Sequence, residues 1–224
     1  MNAPRDYLLY QGYEESYREK HESKRNEVYY ALALNQDCYT MEYILKNTGD
    51  TEFEYSLITH LFTKGVSVPK VLAQNRDTIM LEFVAGDTLY RTLQLLEKNC
   101  SDYEPPLDAL KSWLAEYYIA AKTFEKRAIA SKCDLNLKNF IYDVKKNKIT
   151  GLDFEDGDYN GTQKCDMHMV AAHILTVDPI FTEYKRRAAK YFLGDDYDKD
   201  LLLSKLQNIK DHSGIEFKIN DELL

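Results

Sequence analysis

The chain has no apolar run approaching the roughly 20 residues that a membrane-spanning helix needs, so no membrane partner is expected. Its first residues, MNAPRDYLLYQGYEE, lack the long apolar core and small-residue cleavage site of a secretory leader. Cysteine is scarce: Cys38, Cys100, Cys133 and Cys165 lie far apart with no C-x-x-C pair. That spacing argues against a disulfide framework or a cysteine-rich zinc site and suits reduced thiols in a cytoplasmic setting. Basic residues are outnumbered, 29 Lys and Arg against 37 Asp and Glu, for a net charge of -8. An acidic chain without clustered Lys and Arg is poorly equipped to grip a phosphate backbone, and no nucleic-acid partner is expected. Internal repeats and low-complexity tracts are absent as well.

What remains is a globular composition, 44% apolar and 12% aromatic, over a length that suits one domain or two closely joined lobes. Residues 27–34 (EVYYALAL) and 38–45 (CYTMEYIL) are rich in aromatic and β-branched residues, with a hairpin signal at Asn35-Gln36-Asp37. After a break at Gly49-Asp50, residues Phe53, Leu57, Ile58, Leu61 and Phe62 share one helical face. Thr51 with Glu54 reads as a capping box for this helix and Gly65 as its stop. Two strands follow, around Val66–Leu72 and Thr78–Val84, then a helix of about ten residues after Gly86-Asp87; the loop CSDYEPP (100–106) reads as an internal boundary. The second half is mainly helical: a long stripe through Leu110, Trp113, Tyr117 and Phe124, then segments near 165–176, 180–192 and 198–209. One short hairpin, Phe140–Asp143 and Lys148–Leu152 around Lys145-Lys146-Asn147, interrupts the helices. Sheet first and helices later is an α+β plan.

The polar residues around that hairpin are the chemically suggestive ones. Asp134 and Asn139 precede it in KCDLNLKNFIYD (132–143), and Asp153 follows it in GLDFEDGD (151–158). A hairpin brings its two ends together, so the three could converge. Phosphoryl transfer needs such a spot: one carboxylate to orient the attacking hydroxyl, and an amide and a second carboxylate to hold magnesium. The plainer alternative keeps Asp134 and Asn139 as loop residues bonded to backbone and Asp153 as a turn cap. An Asp-x4-Asn pair alone is common by chance; joined to a strand-borne Asp across a hairpin it is more specific.

These strings resemble the protein-kinase-like superfamily, and most of all its aminoglycoside-phosphotransferase and choline-kinase branch. The usual strings there are H-G-D-x-x-x-x-N and I-D-[FW]-E, against K-C-D-L-N-L-K-N and L-D-F-E here, whereas protein kinases carry D-F-G at the second site. The segments EYSLITHLFTKGVSVPKVL (54–72) and MLEFVAGDTL (80–89) are similar to the helix and hinge of that branch, and the resemblance runs from about residue 27 to 176. It implies a two-lobed fold: residues 1–86 as a small β-sheet lobe with a helix at about 51–64, and 87–224 as a mostly helical lobe with a catalytic hairpin at 134–153. It also implies ATP and Mg2+ as cofactors and a small-molecule hydroxyl as acceptor. By the same match Asp134 is catalytic, Asn139 and Asp153 hold metal, Lys46 contacts the α/β-phosphates and Glu54 pairs with Lys46. Leu81, Glu82, Phe83 and Val84 border the adenine, and Asp166 buttresses the catalytic loop.

The chain departs from the pattern in places. Only Gly12 precedes the first clear strands, so no glycine-rich phosphate loop is evident. The segment reads either as a strand at Tyr7–Gln11 followed by an irregular flap, or as a helix over 13–24, since Tyr13 and Tyr17 are four apart. Lys132 stands where the branch has His, and Cys133 reads as a buried inert thiol. His168 and His173 read as ordinary helix residues, and Asp195, Asp196, Asp198 and Asp200 as a solvated helix start rather than a calcium loop. Glu155, Asp156 and Asp158 suit either a cationic substrate or a solvated turn. Two further readings stay open: a compact atypical protein kinase, because only about 70 residues follow Asp153, and a pseudokinase-like binding module.

Overall fold

A computed structural model describes residues 3–21, 26–48, 51–124, 128–132, 134–155, 157–213 and 217. The chain divides into two compact units, Met1–Val84 with Phe154–Asp156, and Ala85–Asp153 with Gly157–Leu224. The break expected at Gly49-Asp50 lies outside the described residues.

The first unit opens with helix α1 (Pro4–Tyr10), followed by strands β1 (Tyr13–His21), β2 (Glu27–Asn35) and β3 (Thr40–Asn47). Helix α2 (Glu52–Thr63) and strands β4 (Val71–Gln74) and β5 (Thr78–Glu82) complete it. The strands form one antiparallel sheet in the order β1-β2-β3-β5-β4. Alternation decides its faces: Ala31, Ala33, Tyr43, Leu45, Ala73 and Met80 pack with Leu8 of α1 on one side, while Lys46, one residue on from Leu45, points to the other. At the β2–β3 turn the Asn35 side chain accepts from the N–H groups of Asp37 and Tyr39, at 3.0 and 2.8 Å, and Cys38 takes φ 63°.

Both readings of the N-terminal segment are corrected. Residues expected as a strand are helical, because Pro4 sits in the first turn, where its missing N–H costs nothing. Of the residues expected as a helix, Tyr13–His21 are the edge strand β1 and 22–24 lie outside the described residues; the Tyr13/Tyr17 spacing misleads because the register shifts between Glu15 and Tyr17. Nearly all of β1 is exposed, and its charges pair locally, Arg18 with Glu15 and Lys20 with Glu27. Such charges keep an exposed edge from pairing with another chain. The capping box is corrected too. The Thr51 hydroxyl donates to the Asn75 carbonyl at 2.5 Å and makes no cap bond to its own helix. Strand β4 starts at Val71 rather than Val66: the preceding stretch contains Pro69, which has no N–H to give a ladder. Gly65 does end α2, at φ +84°.

The second unit runs β6 (Asp87–Thr88), α3 (Leu89–Lys98), α4 (Glu104–Ala121), β7 (Ser131–Lys132), β8 (Phe140–Asp143), β9 (Lys148–Gly151) and β10 (Gly157–Asp158). Helices α5 (Gln163–Leu175), α6 (Glu183–Leu193) and α7 (Lys199–Ser213) follow. The 100–106 loop is therefore a connection into α4 within this unit, not a boundary. Strands β6, β8 and β9 form a small sheet, and β7 pairs with β10. On α4, Leu110, Trp113, Leu114 and Tyr117 are buried, with Trp113 stacked on Tyr117 and edge-on to Phe140 of β8. Helix α5 carries no polar face to speak of: Val170, Ala171, Ala172, Ile174 and Leu175 are all fully buried, and α6 and α7 pack on it. Among the described residues no helix is long and apolar enough to cross a membrane.

The α4 surface fixes the hairpin tightly. A Cβ at Gly151 would fall 2.1 Å from Cζ2 of Trp113, whose ring is held by Tyr117 and Phe140. We expect Gly151→Ala to destabilise the protein by about 1–3 kcal/mol through overpacking, read as a lower urea midpoint. An unchanged midpoint would show that Trp113 can move aside.

Candidate active site

The β8–β9 hairpin sets the site in the second unit. Phe140 pairs with Gly151, and the Leu152 N–H donates to the Asn139 carbonyl at 2.8 Å. Asn139 and Asp153 thus leave opposite ends of one hairpin base, as the sequence suggested. Asp153 itself takes φ 59°, in the left-handed region that few non-glycine residues adopt. Asp134 approaches from the preceding loop. Its Oδ1 accepts the Asn136 N–H at 2.9 Å, and the Asn136 side chain in turn accepts the Lys138 N–H at 3.0 Å, so the plain loop reading describes part of this segment.

Lys132 ties these pieces together. It is 2% exposed, and its Nζ donates to the carbonyls of Asp134 at 2.6 Å and Asp153 at 3.0 Å. The same ammonium stands 5.7 Å from the centre of the Phe140 ring. Its backbone N–H donates to Oδ2 of Asp166, which also accepts the Tyr118 hydroxyl at 2.9 Å. Burial pushes the Asp166 carboxyl up to about 6, against the bonds from Tyr118, Lys132 and Ser131 that favour its charged form. Burial also drives His173 of α5 down to about 4, against the opposing pull of the Asp134 charge, so at neutral pH its imidazole is uncharged. His173 was expected as an ordinary helix residue, and its five-residue spacing from His168 carried no signal of this burial. His168 is structural: Nδ1 meets the Lys164 carbonyl at 2.7 Å and Nε2 accepts the Asp198 N–H at 3.0 Å. Asp198 is accordingly not merely solvated, since it also pairs with Lys164 at 2.7 Å. Asp158 is a turn residue, accepting the N–H groups of Asn160 and Gly161. Cys133 and Asp156 lie outside the described residues.

In the first unit, buried Lys46 is held between two acids. Its Nζ lies 3.0 Å from Glu54 Oε1 and 2.5 Å from Glu155 Oε1. Glu54 also accepts the Phe154 N–H at 3.3 Å, and Glu155 accepts the side-chain amide of Asn26. The Lys46–Glu54 pair appears at the positions the sequence indicated; the second acid was not expected, and it leaves Glu155 engaged internally. In the 81–84 segment, Leu81 is buried in the sheet, while the Glu82 and Phe83 N–H groups donate to the carbonyls of Lys70 and Glu42. A cavity of about 480 Å³ beside Leu8, Glu15, Arg18, Tyr43 and Leu45 lies on the sheet face opposite Lys46 and is not part of this site.

Two outcomes follow from these charges. Lys46→Met leaves the Glu54 carboxylate, 2% exposed, without its cation, and we expect a loss of about 3–5 kcal/mol in denaturant unfolding; a loss below 1 kcal/mol would mean that the pair does not support the fold. For Asp166 the sign runs the other way from a paired carboxylate. Its folded value is raised above the ordinary 3.8 to about 6, so the folded chain holds this proton more tightly. Its contribution is therefore most favourable at low pH and is lost as pH rises from about 4 through 6. Asp166→Asn should remove about one proton from the pH dependence of stability in that window, measured as urea midpoints from pH 4.5 to 7. Identical slopes for the two proteins would contradict the assignment.

No family model and no curated protein sequence matches the chain. Solved structures do. An ethanolamine kinase from Plasmodium vivax matches with 12% identity and TM-score 0.46, over 92% of this chain and 74% of the other. An aminoglycoside phosphotransferase from Streptomyces rimosus, solved with ADP and streptomycin, matches with 14% identity and TM-score 0.58, over 89% of this chain and 94% of the other. At that identity the likeness speaks to architecture: the chain has the protein-kinase-like fold, in the form seen in aminoglycoside phosphotransferases.

Proposed function

We propose that the chain is an ATP- and magnesium-dependent phosphotransferase that acts on a hydroxyl of a small molecule in the cytoplasm. The observation that carries the reading is the junction around Lys132, where the main chains of Asp134 and Asp153 meet one nitrogen at the base of the hairpin that starts from Asn139. The described residues contain no group of three or more His, Cys, Asp or Glu able to hold a metal alone. Magnesium takes one or two protein oxygens and completes its shell with phosphates and water. Asn139 and Asp153 would hold it, and when bound it neutralises charge developing on the β- and γ-phosphates.

In this reading Asp134 orients the acceptor hydroxyl. As the new oxygen–phosphorus bond forms and the bond to the β-phosphate oxygen breaks, the hydroxyl proton passes to the Asp134 carboxylate and ADP leaves. Lys46 would meet the α/β-phosphates with Glu54 behind it, exchanging Glu155 for phosphate oxygens. Leu81, Glu82, Phe83 and Val84 would wall the adenine. The aminoglycoside phosphotransferase of the same fold was solved with ADP, which supports a nucleotide here. The Lys46–Glu155 contact favours one second reading, a nucleotide-independent binding module in which that lysine is never released.

The test is ADP calorimetry with and without magnesium, followed by ATP turnover against a panel of amino alcohols, aminocyclitols and sugars. We expect magnesium-dependent ADP binding that Asp153→Ala weakens at least about tenfold. Asp134→Asn should keep that binding and lower turnover by about 10²–10⁴-fold. No nucleotide binding by the folded native chain would favour the binding module.

A further inference from the structure

We infer that Lys132 is a positioning residue that couples the loop of Asp134 to the loop of Asp153, so that magnesium and nucleotide bind as a unit. The inference rests on the phosphotransferase reading, and it concerns a residue that neither accepts a proton nor holds the metal.

The argument is geometric. Lys132 is a lysine at 2% exposure, a position where the chain could carry an apolar residue at less desolvation cost. Its stem leaves strand β7, whose partner is β10. The ammonium then reaches two carbonyls from two different segments, Asp134 two residues ahead and Asp153 twenty-one residues on, at 2.6 and 3.0 Å. It also faces the ring of Phe140, the residue following Asn139, at 5.7 Å. One nitrogen therefore borders all three segments assigned to chemistry. Three donors on one flexible stem make this possible; a planar ring could not address two separate carbonyls and a ring face together.

The Asp153 backbone shows why such a tie is needed. Its φ of 59° is a conformation that an L-residue holds only when its surroundings enforce it. Two bonds within the second unit hold it: the hairpin closure at Leu152 N–H to Asn139 O and the Lys132 bond to the Asp153 carbonyl. The first fixes where the hairpin ends. The second fixes the rotation of the next peptide, and with it the direction in which the Asp153 side chain departs. Loss of the ammonium leaves the Asp153 carboxylate in place chemically but removes the carbonyl-side bond on the peptide that aims it, whose N–H still donates to Glu54.

A double-mutant cycle on ADP binding tests this, with the magnesium gain (affinity with magnesium divided by affinity without) as the readout. In the native protein the gain should be large, and Lys132→Met should cut it about tenfold while affinity without magnesium stays within about twofold. Placed on Asp153→Ala, Lys132→Met should produce no further loss of gain, because its effect passes through Asp153. A lysine that serves stability alone would lower the unfolding midpoint and leave the gain unchanged; that result, or additive losses in the double variant, overturns the inference. If Lys132→Met does not fold, Lys132→Gln takes its place. Its uncharged and shorter side chain reaches one carbonyl at most, so an intermediate loss of gain is expected and an unchanged gain refutes the coupling. A native protein with no magnesium gain at all overturns the phosphotransferase reading itself, and this inference falls with it.

Discussion

The register of one short hairpin decides where the polar chemistry of the second unit can be. Phe140 opposite Gly151 is the pair at the open end of the hairpin, and both meet Trp113 of α4, Phe140 by its ring edge and Gly151 by having no side chain. A slip of one residue would exchange inward and outward faces along β9. It would bury Lys148 or Thr150 and push Ile149 out of the core, which is not tolerable with Ile149 at 1% exposure. Packing on α4 thus settles a register that ends in Asn139 on one strand and Leu152-Asp153 on the other. Site geometry here is a consequence of core packing.

Two buried lysines then do different work with the same functional group. Lys46 answers two carboxylates, Glu54 and Glu155, so its charge is balanced by charge. Lys132 reaches the carbonyls of Asp134 and Asp153 with its ammonium and the Asp166 carboxylate with its main-chain N–H. The first arrangement suits a lysine whose partner can be exchanged for phosphate. The second suits one that stays in place, since its two carbonyl bonds come from two different segments of the chain.

Much of this was legible in the sequence where a pattern is carried by apolar residues. The runs at 27–34 and 38–45 and the stripe through Trp113 and Tyr117 became β2, β3 and α4, because burial enforces period two in strands and 3.6 in helices. The joint spacing of Asp134, Asn139 and Asp153 around a hairpin was legible for the same reason: Phe140, Ile141 and Ile149 announce the hairpin between them. The failures share a cause as well. Strand β1 is an exposed edge, so YEESYREKH has no buried face to announce its period, and a register shift made two tyrosines mimic a helix turn. Thr51 and Glu54 satisfied a local capping pattern, but both side chains are claimed by groups distant in sequence, Asn75 and Lys46. Lys132, His173 and the second partner of Lys46 were invisible for that reason too, being defined by contacts across 21 to 109 positions or by shared burial.

Burial of charge does not by itself mark function in this chain. Lys185 is fully buried, pairs with Glu97 at 2.6 Å and donates to the Pro179 carbonyl, yet all of its partners serve to dock α6 against α3 and the segment before it. What separates the Lys132 junction is concentration. It joins a lysine with two carbonyl partners to an Asp held at positive φ and, through its N–H, to a carboxyl raised to about 6, on the same helix as an imidazole lowered to about 4. Each departs from what a merely stable fold would select, since apolar residues of similar volume would fill the same space at lower desolvation cost. A scaffold can carry one such compromise for structure, as at Lys185. Several converging on the loops of Asp134 and Asp153 are the pattern expected where side chains are tuned for chemistry, and that convergence, more than any one string of residues, is what sets this region apart from the rest of the molecule.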